Sequence, residues 1–460
     1  MHHPIALQTT LIFGVVLCAM ILTLALEERI HAKKSLITGI FAVISLVLGH
    51  LFDLLPMGPV RNVFGESLAL PVYVQGVDWG VIAIILGSSL FVDVAARSGL
   101  FTWIAIRLTK RSQGDPSRLL TLYGLMTVLF SALLNNVTAM IIVGSLTAVS
   151  LEKLGRRNLL LGFLLIEGLL TNVGGLLTLI SSVPNIIVGQ AAGISFLDFL
   201  VKAAPYVSLA TLITILVGRR IYGIRALEGE DERAQALAQV SSFDERDGIE
   251  SRPFFLFAGV MLALFIGAIA ASSMLDFPLG IGFVAMAFGL VMLIRYKSSV
   301  DSFYKALDWD LLLFFAFLFI VINVMEHAQV LALMGHGLEA IVGLDAIASG
   351  AGSAATLLSA ALLSAVTDNI PLAAMLAKIL QAMNPEDGRL WWSVVFGANL
   401  GGNLTPIGSA STVVAVTLMH KYGVPLSFVG FVKSASLFAA IQLALALLYV
   451  LLVVPLLPQL

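Results

Sequence analysis

Two short polar cassettes, each present twice in an otherwise apolar chain of 460 residues, hold the side chains whose types and spacing could do chemistry. One reads Ser131-Ala-Leu-Leu-Asn135-Asn136-Val-Thr138 and returns as Ser364-Ala-Val-Thr-Asp368-Asn369-Ile-Pro371. The other reads Asn172-Val-Gly174-Gly175-Leu-Leu-Thr178-Leu-Ile-Ser181-Ser182 and returns as Asn399-Leu-Gly401-Gly402-Asn403-Leu-Thr405-Pro-Ile-Gly-Ser409. A carboxamide inside hydrocarbon must be hydrogen-bonded or must face water or a ligand, because leaving it unpaired costs several kcal/mol. The chemistry on offer is therefore recognition. Amide, hydroxyl and carboxylate groups can hold a small solute, freed backbone carbonyls can coordinate a cation, and half-helix N-termini can hold an anion.

The elements that must position these groups are membrane helices. The chain is 59% hydrophobic and only 12% charged, whereas soluble domains carry about 25% charged residues. Apolar runs of this length read as spans. The formal net charge of −2 gives no sign of a nucleic-acid partner. Cys18 is the only cysteine, which excludes an intrachain disulfide and a thiolate cluster. No paired His-Glu metal motif, activated nucleophile or phosphate-binding glycine loop occurs, so neither an enzyme nor an ATPase is indicated in this chain. An ATPase partner is left open. The N-terminus lacks a basic n-region and a small-residue cleavage site, so its first apolar run is expected to be retained.

Along the chain, spans are expected at about 9–26, 35–55 and from Asp78-Trp79 to Arg97, with an interfacial segment over 101–111. Residues 119–150 form an apolar run broken at Asn135-Asn136 with positive charge at both ends, the pattern of a re-entrant hairpin. Residues 159–190 form a helix broken between Asn172 and Asn185. The segment Glu228 to Arg252 reads as a flexible linker. The pattern then recurs, with a hairpin over 348–382 and a broken helix over 391–420. Asp308-Trp309 repeats Asp78-Trp79 at an offset of 230, and the cassettes repeat at 233 and 227. The chain accordingly divides into a first repeat (1–225), a cytoplasmic linker (226–252) and a second repeat (253–460).

Placing the Lys/Arg clusters at 29–34, 97–118, 153–157, 219–252 and 295–305 on one side, inside, leaves Arg61, Asp345, Glu386, Asp387 and Arg389 outside. The two halves then enter the membrane from opposite sides. This predicts an all-α polytopic protein of two inverted-topology repeats, about ten spans plus two hairpins, with the breaks facing each other near the bilayer centre.

The site residues expected from this arrangement are Asn135, Asn136, Thr138, Asp368 and Asn369 at the hairpin tips. The broken helices contribute Asn172, Gly174, Gly175, Thr178, Ser181, Ser182, Asn185, Asn399, Gly401, Gly402, Asn403, Thr405, Ser409, Ser411 and Thr412. The glycine pairs would let the backbone open. The competing reading, in which small and polar residues only join helices, suits an isolated Ser or Thr better than cassettes that recur in register. Ionisable groups at membrane depth are functional candidates by default. Asp368 and Glu167 are therefore the candidates for proton or cation coupling. Asp93, Asp276 and Glu326 read as interfacial, Lys202 and Lys378 as snorkelling, and His327 and His336 lack ligand spacing.

These cassettes resemble the ion transporter superfamily. Within it they are most similar to the branch of arsenite permeases, NhaD-type sodium–proton antiporters, citrate transporter-like permeases and the melanosomal P protein. The resemblance runs from Asp78 to about Lys433. It implies two inverted repeats, a homodimer built through a scaffold domain, and elevator-like secondary active transport of a small ion or solute coupled to H+ or Na+, with Na+ at the hairpin tips and no other cofactor. Carried over by motif, solute or cation contacts fall on the tip and broken-helix residues named above. Members of the branch often have Asp where this chain has Asn135, and Pro-Asn where the second copy reads Ser411-Thr412. Substrate class stays open between Na+/H+ exchange, a carboxylate or inorganic anion, and an arsenite-like metalloid; a passive channel on the same fold is the alternative. The compact chain fits a bacterial inner membrane.

Overall fold

The computed structural model describes residues 5–457 apart from 56–59, 62–64, 247, 250, 275–278, 347 and 386. Asp276 and Glu386 lie outside the described residues, as does the side chain of Arg61.

The first half comprises α1 (Leu7–Ala25), α2 (Lys34–Leu51), α3 (Trp79–Arg97), α4 (Leu100–Arg111), α5 (Pro116–Leu133), α6 (Asn136–Lys153), α7 (Leu160–Gly174), α8 (Val183–Ala191) and α9 (Phe196–Ile221). After α10 (Glu230–Ser241), the second half repeats the order as α11 (Arg252–Met274), α12 (Gly280–Leu293), α13 (Trp309–His327), α14 (Val330–Val342), α15 (Ala351–Ser364), α16 (Asn369–Met383), α17 (Arg389–Gly401), α18 (Ala410–Lys421) and α19 (Phe428–Leu452). A short ladder pairs Val60-Arg61 with Ser67-Leu68. The chain is thus an all-helical, polytopic membrane protein. Among the described residues, eight helices are long and apolar enough to cross a bilayer: α1, α2, α3, α5, α9, α11, α13 and α19. The shorter apolar helices include α12, α15 and α16.

Equivalent residues build equivalent ends. Asp78 caps α3 by accepting from Val81 N at 3.1 Å, and Asp308 caps α13 by accepting from Leu311 N at 3.0 Å. The indole N–H of Trp79 donates to Val74 O and that of Trp309 to Tyr304 O. Ser195 and Ser427 cap α9 and α19. An N-terminal Asp or Ser oxygen satisfies a helix N–H that would otherwise have no partner, a contribution of about 1 kcal/mol each.

The halves interlock reciprocally. α3 packs on α12 and α2 on α13, so that each half lends a helix to the other. Likewise α8 packs on α16, while α18 packs on α6. Reciprocal exchange of this kind is the signature of a two-fold relation between copies, and the inverted repeat supplies it within one chain.

The linker departs from the sequence expectation. Residues 230–241 form a helix, α10, docked on α4 and α6. Ala236, Val240 and Phe243 are buried, and their spacing forms a helical apolar stripe that the dense charge around it conceals. Asp115 ties the linker in: it caps α5 through Arg118 N at 2.9 Å and accepts from Leu227 N at 2.8 Å. Ion pairs Lys110–Glu245 and Arg156–Glu232 add exposed contacts.

Candidate functional site

The two breaks are built alike from the cassette residues. In the first half Ser131 Oγ donates to Thr171 O at 2.6 Å and Thr178 Oγ1 to Ala132 O at 2.7 Å. In the second, Ser364 Oγ donates to Ala398 O at 2.6 Å and Thr405 Oγ1 to Ala365 O at 2.6 Å. These bonds rivet each hairpin to its own broken helix. The glycines serve the same junction. Gly175 and Gly402 sit in ordinary right-handed backbone, and Gly174 and Gly401 are within helices, so backbone opening is not their task. Their task is close approach: a Cβ on Gly174 would lie 2.7 Å from the Val128 backbone, and one on Gly401 2.3 Å from Ala361 O.

The breaks also grip one another across the two-fold. Asn172 Nδ2 donates to Ser409 Oγ at 2.9 Å, and the equivalent pair has Ser182 Oγ donating to Asn399 Oδ1 at 2.7 Å. Asn399 Nδ2 donates to Asn185 Oδ1 and Val395 O. Asn185 Nδ2 donates to Gly175 O and Thr178 O, and Ser181 Oγ reaches the same two carbonyls. The carbonyls freed by the first break are therefore taken up by side chains. Asn172, Asn185, Asn399 and Asn403 are at most 1% exposed.

Two further residues, Gln442 and Thr214, extend this network. Asn403 donates to Gln442 Oε1 at 2.8 Å, and Gln442 Nε2 donates to Thr214 Oγ1 at 3.0 Å. Because Asn172 Nδ2 also donates to Asn403 Oδ1 at 2.8 Å, this relay turns the Asn172 amide nitrogen inward. Its oxygen faces Ser411 Oγ at 3.0 Å and Asn136 Nδ2 at 3.4 Å. Gln442 and Thr214 are absent from the sequence-derived set. Their only signal is an amide and a hydroxyl in apolar helices, α19 and α9, outside any repeated cassette.

A cavity of about 270 Å³ opens beside this network. Residues 135–138, 181–184, 369–370 and 409–411 line it, so the N-termini of α6, α8, α16 and α18 converge on one space. Asn135 caps α6 by accepting from Thr138 N at 2.7 Å, and Ser409 caps α18 in a capping box with Thr412. Ser182 makes no side-chain cap to α8; its hydroxyl donates to Asn399 instead. Among the described residues no Lys or Arg lines the cavity, while Asp93 and Asp308 do. Asp93, read from sequence as interfacial, thus faces the same space as Asn135 and Asn136. Ala306, Leu307 and Asp308, which follow the basic stretch 295–305 directly in the chain, also line it. A second cavity, around Gly76–Asp78, Asn323 and Lys378, is not lined by the tip residues.

Asp368 is placed elsewhere. It caps α16 by accepting from Ile370 N at 3.0 Å, and its other oxygen accepts from Lys34 Nζ at the start of α2. This pair lines another cleft with Glu27, Arg29 and Thr367, and Ser409 and Ala410 line both that cleft and the 270 Å³ cavity. Glu167 reaches neither cavity. It is fully buried, with Oε1 accepting from Thr147 Oγ1 at 2.5 Å and Oε2 without a partner. Glu326 pairs with Lys378, and Lys202 is buried against Asp198 rather than exposed at its tip.

Comparisons with known proteins agree with this architecture. The family model described as citrate transporter matches residues 22–395. An uncharacterized transporter of Mycobacterium tuberculosis is 30% identical over 435 residues, covering 92% of this chain and 94% of that one. The P protein of Homo sapiens is 22% identical, over 89% of this chain and 58% of its own length. Among solved structures, the YdaH transporter of Alcanivorax borkumensis, described as having an unusual topology, superposes with a TM-score of 0.60 at 14% identity, covering 91% of this chain and 98% of that one. With a matching family model over most of its length and a full-length relative at this identity, the chain belongs to the citrate transporter family of membrane transporters.

Proposed function

We propose that the chain is a secondary active transporter of a small carboxylate anion, moved together with Na+ or H+. The carrying observation is the convergence of the N-termini of α6, α8, α16 and α18 on one cavity that no Lys or Arg lines. Helix N-termini present N–H donors and partial positive charge, each end equivalent to roughly half an elementary charge. They hold an anion without side-chain cations, and discontinuous helices of this kind hold the carboxylate in other transporter folds. Asn135, Asn136, Asn172 and Ser411 would orient the carboxylates by hydrogen bonding. Asp93, facing the same space, would carry the coupling proton or balance a co-bound cation. The family description, citrate transporter, points to a polycarboxylate as the first solute to try.

Residues 306–308 on the cavity wall continue directly from the basic stretch 295–305, and basic loops orient toward the cytoplasm. We read the arrangement as inward-open, with the hairpins and broken helices as the moving unit and α1–α3 with α11–α13 as the scaffold. Purified protein in proteoliposomes, given citrate, phosphate, arsenite or Na+ under imposed pH and sodium gradients, tests the proposal. Accumulation of a carboxylate against its gradient, abolished by a protonophore or by Na+ removal, is expected. Carboxylate flux that only runs downhill would make the protein a channel, and 22Na+ exchange for protons without carboxylate would favour the exchanger reading.

A further inference from the structure

The Lys34–Asp368 pair joins the two parts that the proposed transport cycle must separate. Lys34 opens α2, which packs on α13; Asp368 caps α16, a hairpin limb that packs on α8. Only 14% of the Asp368 side chain is exposed, and one of its oxygens is committed to Ile370 N. The other meets Lys34, whose second acidic neighbour is Glu27 at 3.6 Å. Arg29 also lines the cleft, and Asp310 on α13 is held by the N–H and hydroxyl of Ser35 at 3.2 and 2.6 Å.

Removing one partner of a partly buried ion pair leaves a poorly hydrated charge without its counter-ion, which costs more than the pair itself contributes. Any displacement of α16 along α2 does this to Asp368, unless another cation takes the vacated place. We propose that Lys34 is a tethered stand-in for a small monovalent cation, Na+ or a proton, at an Asp368 site. Lys34 neutralises Asp368 in the arrangement seen here. In the opposite arrangement the free cation does so, and the empty carboxylate cannot cross alone. This rests on the transport reading above and adds to it the residue that competes for a cation at the second hairpin tip, a place distinct from Asp93 in the cavity. The open cavity at Asn135 has no such pair, since the first hairpin carries a carboxamide at the equivalent position.

The test is binding, so it does not require the transported solute to be known. Full-length protein, purified in detergent, is titrated with 22Na+ at pH 8.5 in choline buffer as wild type, Lys34→Met, Lys34→Arg and Lys34→Met/Asp368→Asn. With Na+ as occupant, Lys34→Met binds about tenfold more tightly than wild type, the low end of measured coupling between close charge pairs. Lys34→Arg stays at wild-type affinity and the double variant loses the site. With a proton as occupant, potentiometric titration from pH 8.5 to 6.0 finds one more proton bound per chain in Lys34→Met than in the double variant. Neither gain, in a Lys34→Met protein that elutes as the wild type does on size exclusion, overturns the proposal. Should Lys34→Met not fold, wild type against the charge-free double variant decides it: equal Na+ affinity and equal proton uptake overturn it. Either result leaves carboxylate flux in proteoliposomes to be judged independently.

Discussion

The first hairpin ends in a carboxamide and faces an open cavity; the second ends in a carboxylate and is closed by a lysine. Asn135 and Asp368 occupy matched places in the repeat, and each caps the second limb of its own hairpin. Beyond that the two tips diverge. Asn135 is exposed in the cavity that collects four helix N-termini, while Asp368 is engaged by a scaffold helix in a different cleft. The duplicated sequence thus keeps the rivets identical and varies the charge. On the proposed reading one tip receives an anionic passenger and the other a cation, and a charged group at membrane depth is retained only where it has a partner.

Neutralising the charged tip breaks this division outright. Asp368→Asn leaves Lys34 in place and removes its partner, and we expect coupled uptake to fall at least 100-fold in proteoliposomes while the protein still elutes as a folded species. Wild-type flux in that variant would remove the second tip from coupling. The converse change sharpens the comparison. Asn135→Asp restores matched carboxylates and places a negative charge where an anion is proposed to bind. An increase of about tenfold or more in the KM for the carboxylate is expected, from like-charge repulsion inside a poorly screened site. An unchanged KM would mean that the solute does not approach α6.

Asn172 and Asn399 are also equivalent, and they separate binding from stability. The Asn172 oxygen faces Asn136 and Ser411 at the cavity wall, whereas Asn399 is spent on Asn185, Ser182 and Val395 within the core. Sequence alone predicts weaker binding for alanine at either position. The geometry predicts a higher KM for Asn172→Ala. For Asn399→Ala it predicts a loss of stability of about 1–3 kcal/mol, the cost of leaving buried polar partners unpaired, read as a lower melting temperature in detergent.

The fold was legible because duplication leaves a registered signal. Asp78-Trp79 and Asp308-Trp309 announce equivalent helix starts, and charge at both ends of 119–150 announces a hairpin. Which polar groups would meet was less legible. Asn185 and Asn399 sit in cassettes that look like ligand sites, yet they hydrogen-bond each other, since sequence spacing cannot tell a partner across the two-fold from a solute. Asp93 lies one helical turn before Arg97, and proximity to a basic end reads as interfacial; only the fold places it on the wall of the cavity that Asn135 also lines. Lys34 opens a scaffold helix among other basic residues, and nothing in its surroundings marks a partner 334 positions away.

Gln442 is the least conspicuous of these, and the smallest expected effect belongs to it. Its side chain bridges Asn403 and Thr214, and its backbone carbonyl accepts from Tyr206. Through Asn403 it fixes which way the Asn172 amide points, although it touches neither cavity. Gln442→Glu preserves the shape and the acceptor toward Asn403 but removes the donor toward Thr214. Gln442→Met removes the acceptor and leaves an Asn403 N–H with Leu169 O alone. If the relay orients Asn172, Gln442→Met should raise the carboxylate KM a few-fold, with kcat nearly unchanged, and Gln442→Glu should raise it less. If Gln442 only joins α19 to the core, both variants should lower the melting temperature and leave KM at the wild-type value, because helix-joining amides in membranes contribute only about 0.6 kcal/mol on average.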